Sequence, residues 1–375
     1  MTRTGKNHLR VLSTLFVVSL AAALVLVTHT AAQTAAPTGP ATTAATAAAT
    51  TAPTAAPNGS TVTLTLAAYS VPGDAYAEII PLFAKQWLAQ TGQTVNIQVS
   101  YAGSGAQARA VIGGLEADVV ALSLDGDVAK IAKAGLITHD WTNNTYKGKV
   151  TDSVVVLAVR NGNPNNIKDW ADLAKPGLGI LTPDPSTSGG AQWNILAAYG
   201  AVARGHVPGY DATDDGALKY LGDLFKNVTT FDKDGRTSFL TFEKGIGDVA
   251  INYEDEAIAS IQAGGDSQIV YPSSTILVEN PVSVVDTYVD KHGTRAVAEA
   301  FVHFLATPDA QRIFAKYGFR PVDPTILNDQ TVAKQFPAVS DQFTVQQFGG
   351  WDKVATNLFG NNGTITKILN SIKGQ

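Results

Sequence analysis

The chain of 375 residues contains no cysteine. Disulfides, thiolate metal sites, iron–sulfur clusters, cysteine nucleophiles and a lipidated N-terminal cysteine are therefore excluded. Histidine is scarce. Beyond residue 60 it occurs only as His139, His206, His292 and His303. None has the spacing of a metal site, and each reads as a surface or packed residue. Charged residues make up only 16% of the chain against 45% hydrophobic, which excludes a fully disordered polymer. A net charge of −5 leaves no excess of positive charge for non-specific nucleic-acid binding. There is no GxxxxGK[ST] phosphate loop, no GxSxG elbow and no HExxH. The stretch GSGAQA is an incomplete dinucleotide fingerprint. Enzyme chemistry has little local support.

What is present begins with an address. Met1–Arg10 is basic, Val11–Val27 is apolar and uncharged, and small residues follow at Thr30–Ala32. Residues 1–32 read as a cleaved secretory signal or as an N-terminal membrane anchor. Either places the rest outside the cytoplasmic membrane, in the periplasm or cell envelope. Residues 33–60 are rich in Ala, Thr and Pro and carry no charge. They have little to bury and read as a disordered linker. The part beyond residue 60 holds 24 basic against 32 acidic residues, so it is more acidic than the whole.

From Thr61 strand and helix patterns alternate. Strands are expected at Thr61–Tyr69, Val95–Ser100 and Asp118–Leu124, and helices at Ala75–Gln90, Gly105–Leu115 and Val128–Ala134. A second unit has strands at Val154–Arg160, Leu178–Leu181, Asp248–Tyr253 and Val282–Val285. Its helices fall at Gly189–Ala203, Ala217–Phe225 and Thr294–Tyr317, the last broken near Pro308. Shorter outer helices follow from Pro324. This predicts an α/β protein of mainly parallel sheets flanked by helices. It has two lobes: residues 61–153 with 279–319, and 154–278 with 320–375. Ligands of such folds bind in the cleft at the carboxyl ends of strands.

Two loops there stand out: YAGSGA (Tyr101–Ala106) and PDPSTSGGA (Pro183–Ala191), each running into a helix with no early charge. Glycine admits close approach. The first amides of a helix lack internal partners and face the positive end of its dipole. Two such loops on two lobes suggest an anion cleft. Simple capping by Ser104 and Ser188 is the plainer alternative. The acidic run Glu254–Glu256 is expected to open a helix, where its charge suits the dipole.

The succession AGSGAQARAVIGGLEADVVALSL, NPNNIKDWADL, TPDPSTSGGAQWNILAAYG, GIGDVAINYEDEA, ILVENPVSVVD and FGGW resembles the periplasmic sulfate-binding proteins. These are the substrate-binding subunits of ABC importers for sulfate and thiosulfate, and the resemblance runs from about Thr61 to the C-terminus. It implies a two-lobed type II periplasmic-binding-protein fold with the ligand between the lobes. It also implies a monomer that is not an enzyme, needs no cofactor or metal, and delivers its anion to membrane permease subunits. The alternative is a binding protein of the same fold specialised for molybdate, tungstate or phosphate, and a secreted hydrolase of sulfate or phosphate esters is a more distant one. In the family uncharged donors hold the sulfate. The matching positions are Ser70, Ser104, Ser188, Gly189, Gly190 and Gly235, with Tyr253 where the family has a tryptophan. Family charges of the outer shell fall at Asp74, Asp127 and Arg236. Three departures stand out. Ser70 replaces an aspartate, the Lys233–Thr237 loop is one residue short, and Tyr253 offers both a donor and acceptors where indole only donates.

Overall fold

The computed structural model describes residues 59–373. The expected signal or anchor lies outside the described residues, as does the expected linker up to residue 58. Gly59 and Ser60, counted with that linker, belong to the folded unit. The Gly59 amide donates to the Gly92 carbonyl at 3.0 Å, and Thr94 N–H donates to the Ser60 carbonyl at 2.9 Å. No helix among the described residues is long and apolar enough to cross a membrane.

The first half begins as β1 (Thr61–Tyr69), α1 (Gly73–Thr91), β2 (Thr94–Ala102), α2 (Ser104–Ile112), β3 (Val119–Ala121) and α3 (Asp125–Lys133). Val62, Leu64 and Leu66 alternate along β1, and the strand pairs in parallel with β2 along its whole length and with β3 at Leu66–Ala68. Helix α1 stops at Gly92, whose φ of 71° is a left-handed cap that glycine adopts without strain. Its Tyr76, Ile79 and Phe83 are buried at helical spacing.

The second half holds β4 (Lys149–Arg160), β5 (Ile180–Pro183), α4 (Gly189–Ala203), α5 (Asp214–Phe225), β6 (Val228–Asp232), α6 (Gly235–Glu243), β7 (Val249–Tyr253), α7 (Glu254–Gln262) and β8 (Ser267–Val270). Strand β5 lies between β6 and β7, parallel to both. Helix α4 is buried on nearly every side, which accounts for its lack of charge. Its Asn194 amide donates to the Ile251 carbonyl at 2.7 Å.

Strand β9 (Ser274–Val284) joins the halves. It pairs antiparallel with β3 through Val282–Val284 and with β4 through Leu277–Pro281. Strand β4 pairs with β9 up to Val154 and with β7 from Val155 onward. The sheet therefore changes partners at Val154–Val155, and the expected short strand at Val282–Val285 proves to be the end of a long crossing strand. Helices α8 (Asp286–His292), α9 (Arg295–Leu305) and α10 (Pro308–Lys316) follow. The break expected near Pro308 separates α9 from α10, with Pro at the first helical position.

The tail divides. β10 (Arg320–Pro321), α11 (Pro324–Leu327) and α12 (Gln330–Ala333) stay beside α10 and the first part of β4. β11 (Asp341–Phe343) pairs with Ser274–Ile276 of β9, and α13 (Gly350–Val354) and α14 (Thr364–Lys373) follow. These late helices are not merely external. Trp351, Val354, Ile365 and Leu369 are buried. Trp351 meets Trp193 of α4 edge-on, with ring centroids 4.5 Å apart.

Candidate functional site

Six helix starts surround one small cavity. Ser70 and Val71 lead from β1 into α1, and Gly103 and Ser104 open α2. Ser123 precedes α3, Ser188 and Gly190 open α4, Asp234 and Gly235 open α6, and Tyr253 precedes α7. Each start presents amides without intrahelical partners and the positive end of a dipole. Among the described residues, no lysine, arginine or histidine lines this cavity.

The amides are apportioned. Ala106 N–H donates to the Thr187 carbonyl at 3.2 Å. Ala191 N–H is capped by Ser188 Oγ at 3.3 Å, and Thr237 N–H by Asp234 Oδ1 at 2.8 Å. Among the described residues no acceptor meets the amides of Gly190 and Gly235, and Asn252 fixes the Gly235 peptide by donating to its carbonyl at 3.0 Å. Ser188 Oγ uses a lone pair for its cap and keeps its proton to donate. Capping and ligation are thus compatible at Ser188. At Ser104 capping is absent, because Gly103 occupies the cap position. The Ser104 hydroxyl instead donates to Asp127 Oδ2 at 2.7 Å and accepts from Ser123 N–H at 3.1 Å, which leaves its amide as the group facing a ligand.

The two loops touch directly. A Cβ at Gly103 would fall well inside contact distance of the Thr187 carbonyl. Gly189 is as tightly placed, against Ser123 Oγ, Leu124 and Ser104. Alone among the expected ligand residues it does not line the cavity, and its bareness serves loop packing. Trp193 of α4 donates its indole N–H to the Ser123 carbonyl at 2.7 Å, tying the halves together beside the cavity. The expected outer charges meet one another. Arg236 pairs with Asp74 across the halves and with Glu256 at 3.3 Å, while Asp127 also holds Lys130 at 2.8 Å.

Among the described residues, three buried hydroxyls in the wall, Tyr69 Oη, Ser123 Oγ and Tyr253 Oη, meet no partner within the angles and distance of a well-formed hydrogen bond. Ser123 lies beside Tyr253, and Thr151 beside Tyr69. Burial pushes both tyrosine hydroxyls well up, so they stay protonated. Behind them, burial lifts the Asp255 carboxyl to about 7 although Ser153 donates to it at 2.6 Å. The neighbouring Glu254 is held by Arg320 at 2.6 Å. A wall of unpaired donors without a cation is suited to a small anion.

Residues 64–320 match the family model of the bacterial extracellular solute-binding proteins. The chain belongs to that family. Similar solute-binding proteins include the sulfate-binding protein of Synechococcus elongatus, 48% identical over 85% of this chain and 89% of that one. The thiosulfate-binding protein of Pseudomonas aeruginosa is 38% identical over 80% of this chain and 90% of its own. Among solved structures, the sulfate-binding protein of Mycobacterium tuberculosis superposes with a TM-score of 0.72 at 38% identity, covering 80% of this chain and all of that one. A periplasmic thiamin-binding protein, at 16% identity and a TM-score of 0.61 over 78% of this chain and 94% of its own, shares the fold. The architecture is the two-lobed type II fold of periplasmic binding proteins.

In this solute-binding protein Ser70, Ser104, Ser188, Gly190, Gly235 and Tyr253 line one cavity, while Gly189 backs it. Sequence reasoning missed Tyr69, Ser123 and Asp234 as wall residues. Asp118–Leu124 read as one buried strand, yet β3 ends at Ala121, so Ser123 lies in the following loop. The rule that selected the GSG loop, a polar residue after a strand and before a helix, selects Ser123 as well.

Proposed function

We propose that the chain captures sulfate between its two halves and delivers it to the permease subunits of an ABC importer. The observation that carries this reading is the convergence of six helix starts on a cavity without a cation. The names of the sulfate-binding relatives support it. The ligand groups are the amides at Ser70, Ser104, Gly190 and Gly235 with the hydroxyls of Ser188 and Tyr253. Hydrogen bonds to a charged group contribute about 1.5–3 kcal/mol each. Six of them, less desolvation and closure, reach the micromolar range, about −8 kcal/mol.

The lobes of this reading are residues 61–153 with 279–319, and 154–278 with 320–375. They turn about β4 and β9, where strand pairing changes partners. The protein is a carrier, and no step of bond making is assigned to it. It works outside the cytoplasmic membrane, to which the N-terminal segment addresses it. Thiosulfate is the second ligand to test, given the thiosulfate-binding relatives.

Titration calorimetry of the purified protein with sulfate, thiosulfate and molybdate tests the reading. Saturable one-to-one sulfate binding at micromolar affinity is expected. Absence of sulfate binding, or molybdate bound far more tightly, overturns it.

A further inference from the structure

A second contact between the halves lies behind the cavity, at the late turn Phe348–Gly349–Gly350–Trp351. Gly349 and Gly350 take φ of 85° and 82°, a left-handed pair that glycine adopts without strain, and together they turn the chain into α13. Before the turn, Phe348 is fastened to the second half. Its ring meets Tyr199 of α4 and Phe343 of β11 edge-on, with centroids 5.7 and 5.8 Å away. After the turn, Trp351 is buried edge-on against Trp193 of α4. It also reaches the first half. A Cβ built on Gly126, the second residue of α3, would stand 3.4 Å from Trp351 Cβ and 3.9 Å from its Cγ. Trp193 crosses in the same place, donating its indole N–H to the Ser123 carbonyl. Both crossings land on the short stretch from Ser123 to Gly126, where β3 gives way to α3.

The gap beside Trp351 admits a bare backbone or one methyl group on α3, and anything larger overpacks it. Opening about β4 and β9 parts α3 from Trp351, since the two ride on different lobes. We propose that this turn is an interlobe clasp in which Trp351 is a positioning residue. It braces Trp193 against Ser123 and receives Gly126 as the lobes close, and so sets how long the captured anion is held. This rests on the capture of sulfate between the same lobes. Gly126 and Trp351 both lie outside the cavity wall, so the clasp acts through closure and not by touching the anion. An anion meets the open form, whereas contacts made only in the closed form must break before it leaves. The clasp therefore governs release and leaves the rate of capture nearly alone.

The test follows release of radiolabelled sulfate from the full chain into excess unlabelled sulfate, alongside equilibrium affinity and the ligand-free melting temperature. Gly126→Val places methyl groups where Trp351 stands in the closed form and leaves the open form unhindered. Valine is also a better helix former than glycine, so the ligand-free melting temperature should not fall. Affinity should drop at least about tenfold, nearly all of it as faster release. Gly126→Ala adds only the Cβ that fits, and its affinity should stay within about threefold of the unaltered protein. Trp351→Phe keeps Cβ and Cγ but shortens the brace on Trp193. It should speed release about threefold or more, with the association rate within about twofold. Release is read from bound molecules, so a misfolded fraction lowers the number of sites and leaves the rate intact. Unaltered release and affinity in Gly126→Val overturn the inference and leave sulfate capture standing. A lower melting temperature with unchanged release in Trp351→Phe also overturns it, because the ring would then serve packing alone. Equal losses in Gly126→Ala and Gly126→Val overturn it as well, since they would point to the α3 backbone and not to the contact. Absence of sulfate binding by the unaltered protein defeats sulfate capture itself and this inference with it.

Discussion

The Ala106 amide donates to the Thr187 carbonyl at 3.2 Å. This bond joins the start of α2 in one half to the loop before α4 in the other, beside the wall of hydroxyls and helix starts. Arg109 reinforces it by donating to the Ser186 carbonyl at 3.0 Å. Closure of the cleft is therefore backbone contact between two Ser/Gly loops.

Gly103→Ala should keep these loops apart, because its Cβ would collide with the Thr187 carbonyl. Sulfate affinity is expected to fall at least tenfold, about 1.4 kcal/mol. Apo melting temperature should change little if the two halves fold in the open arrangement. Titration and a thermal melt check both. Unaltered affinity would show that loop contact is not part of binding.

Gly190→Val and Ser188→Ala separate space from capping. A Cβ at Gly190 meets Ser188 Oγ at 3.4 Å and Tyr253 at 3.5 Å, which is ordinary contact, so the methyls beyond it intrude on the cavity. Valine is also a better helix former than glycine. Affinity should drop at least tenfold without loss of apo stability. Ser188→Ala removes both a cap and a donor, so it should lower apo stability by about 1 kcal/mol and weaken sulfate binding as well. A Ser188→Ala variant with full affinity would reduce this serine to a cap.

Trp351→Ala should be costly although it lies far along the tail. The ring is buried against Trp193, which in turn holds the Ser123 carbonyl. A loss of about 3–5 kcal/mol is expected from denaturant unfolding. A loss below about 1 kcal/mol would contradict the packing described.

Stability should rise on mild acidification. Burial, then the facing Glu279, lifts Asp152 to about 7, and burial lifts Asp255 to about 7. Unfolded, both titrate near about 4. Between these values the folded protein holds protons that the unfolded chain has released. Their contribution is full below the unfolded value and lost as pH rises through about 7. His292, raised by hydrogen bonds to Glu116 and Asp118, acts with the same sign. The ligand-free melting temperature should climb from about pH 8 to about pH 5.5, and Asp255→Asn should flatten that slope. A melting temperature that falls over this range contradicts the assignment.

Much of this was legible in the sequence. The β1 and α4 boundaries follow from their alternating and uninterrupted apolar patterns, and the paired Ser/Gly loops do reach one cavity. What was not legible depends on distant partners. β6 and α6 escaped notice because VTTFD is short and polar, and its pairing with β5 is what makes it a strand. β9 reads as a strand only near Val282, since Glu279, Asn280 and Pro281 break the apolar run. Ser123 was hidden inside an apolar stretch that outlasts its strand. Gly189 lies against Ser123 Oγ, a contact between distant residues that no sequence pattern announces.

The central claim is that helix starts and hydroxyls, with no cation, hold the anion. A crystal structure grown with selenate, an isostere of sulfate, tests it most directly through the anomalous signal of selenium. The peak is expected within hydrogen-bond reach of the Gly190 and Gly235 amides and of Tyr253 Oη, with no lysine or arginine nitrogen in contact. A selenium peak outside this cavity, or one held by a basic side chain, would contradict the account.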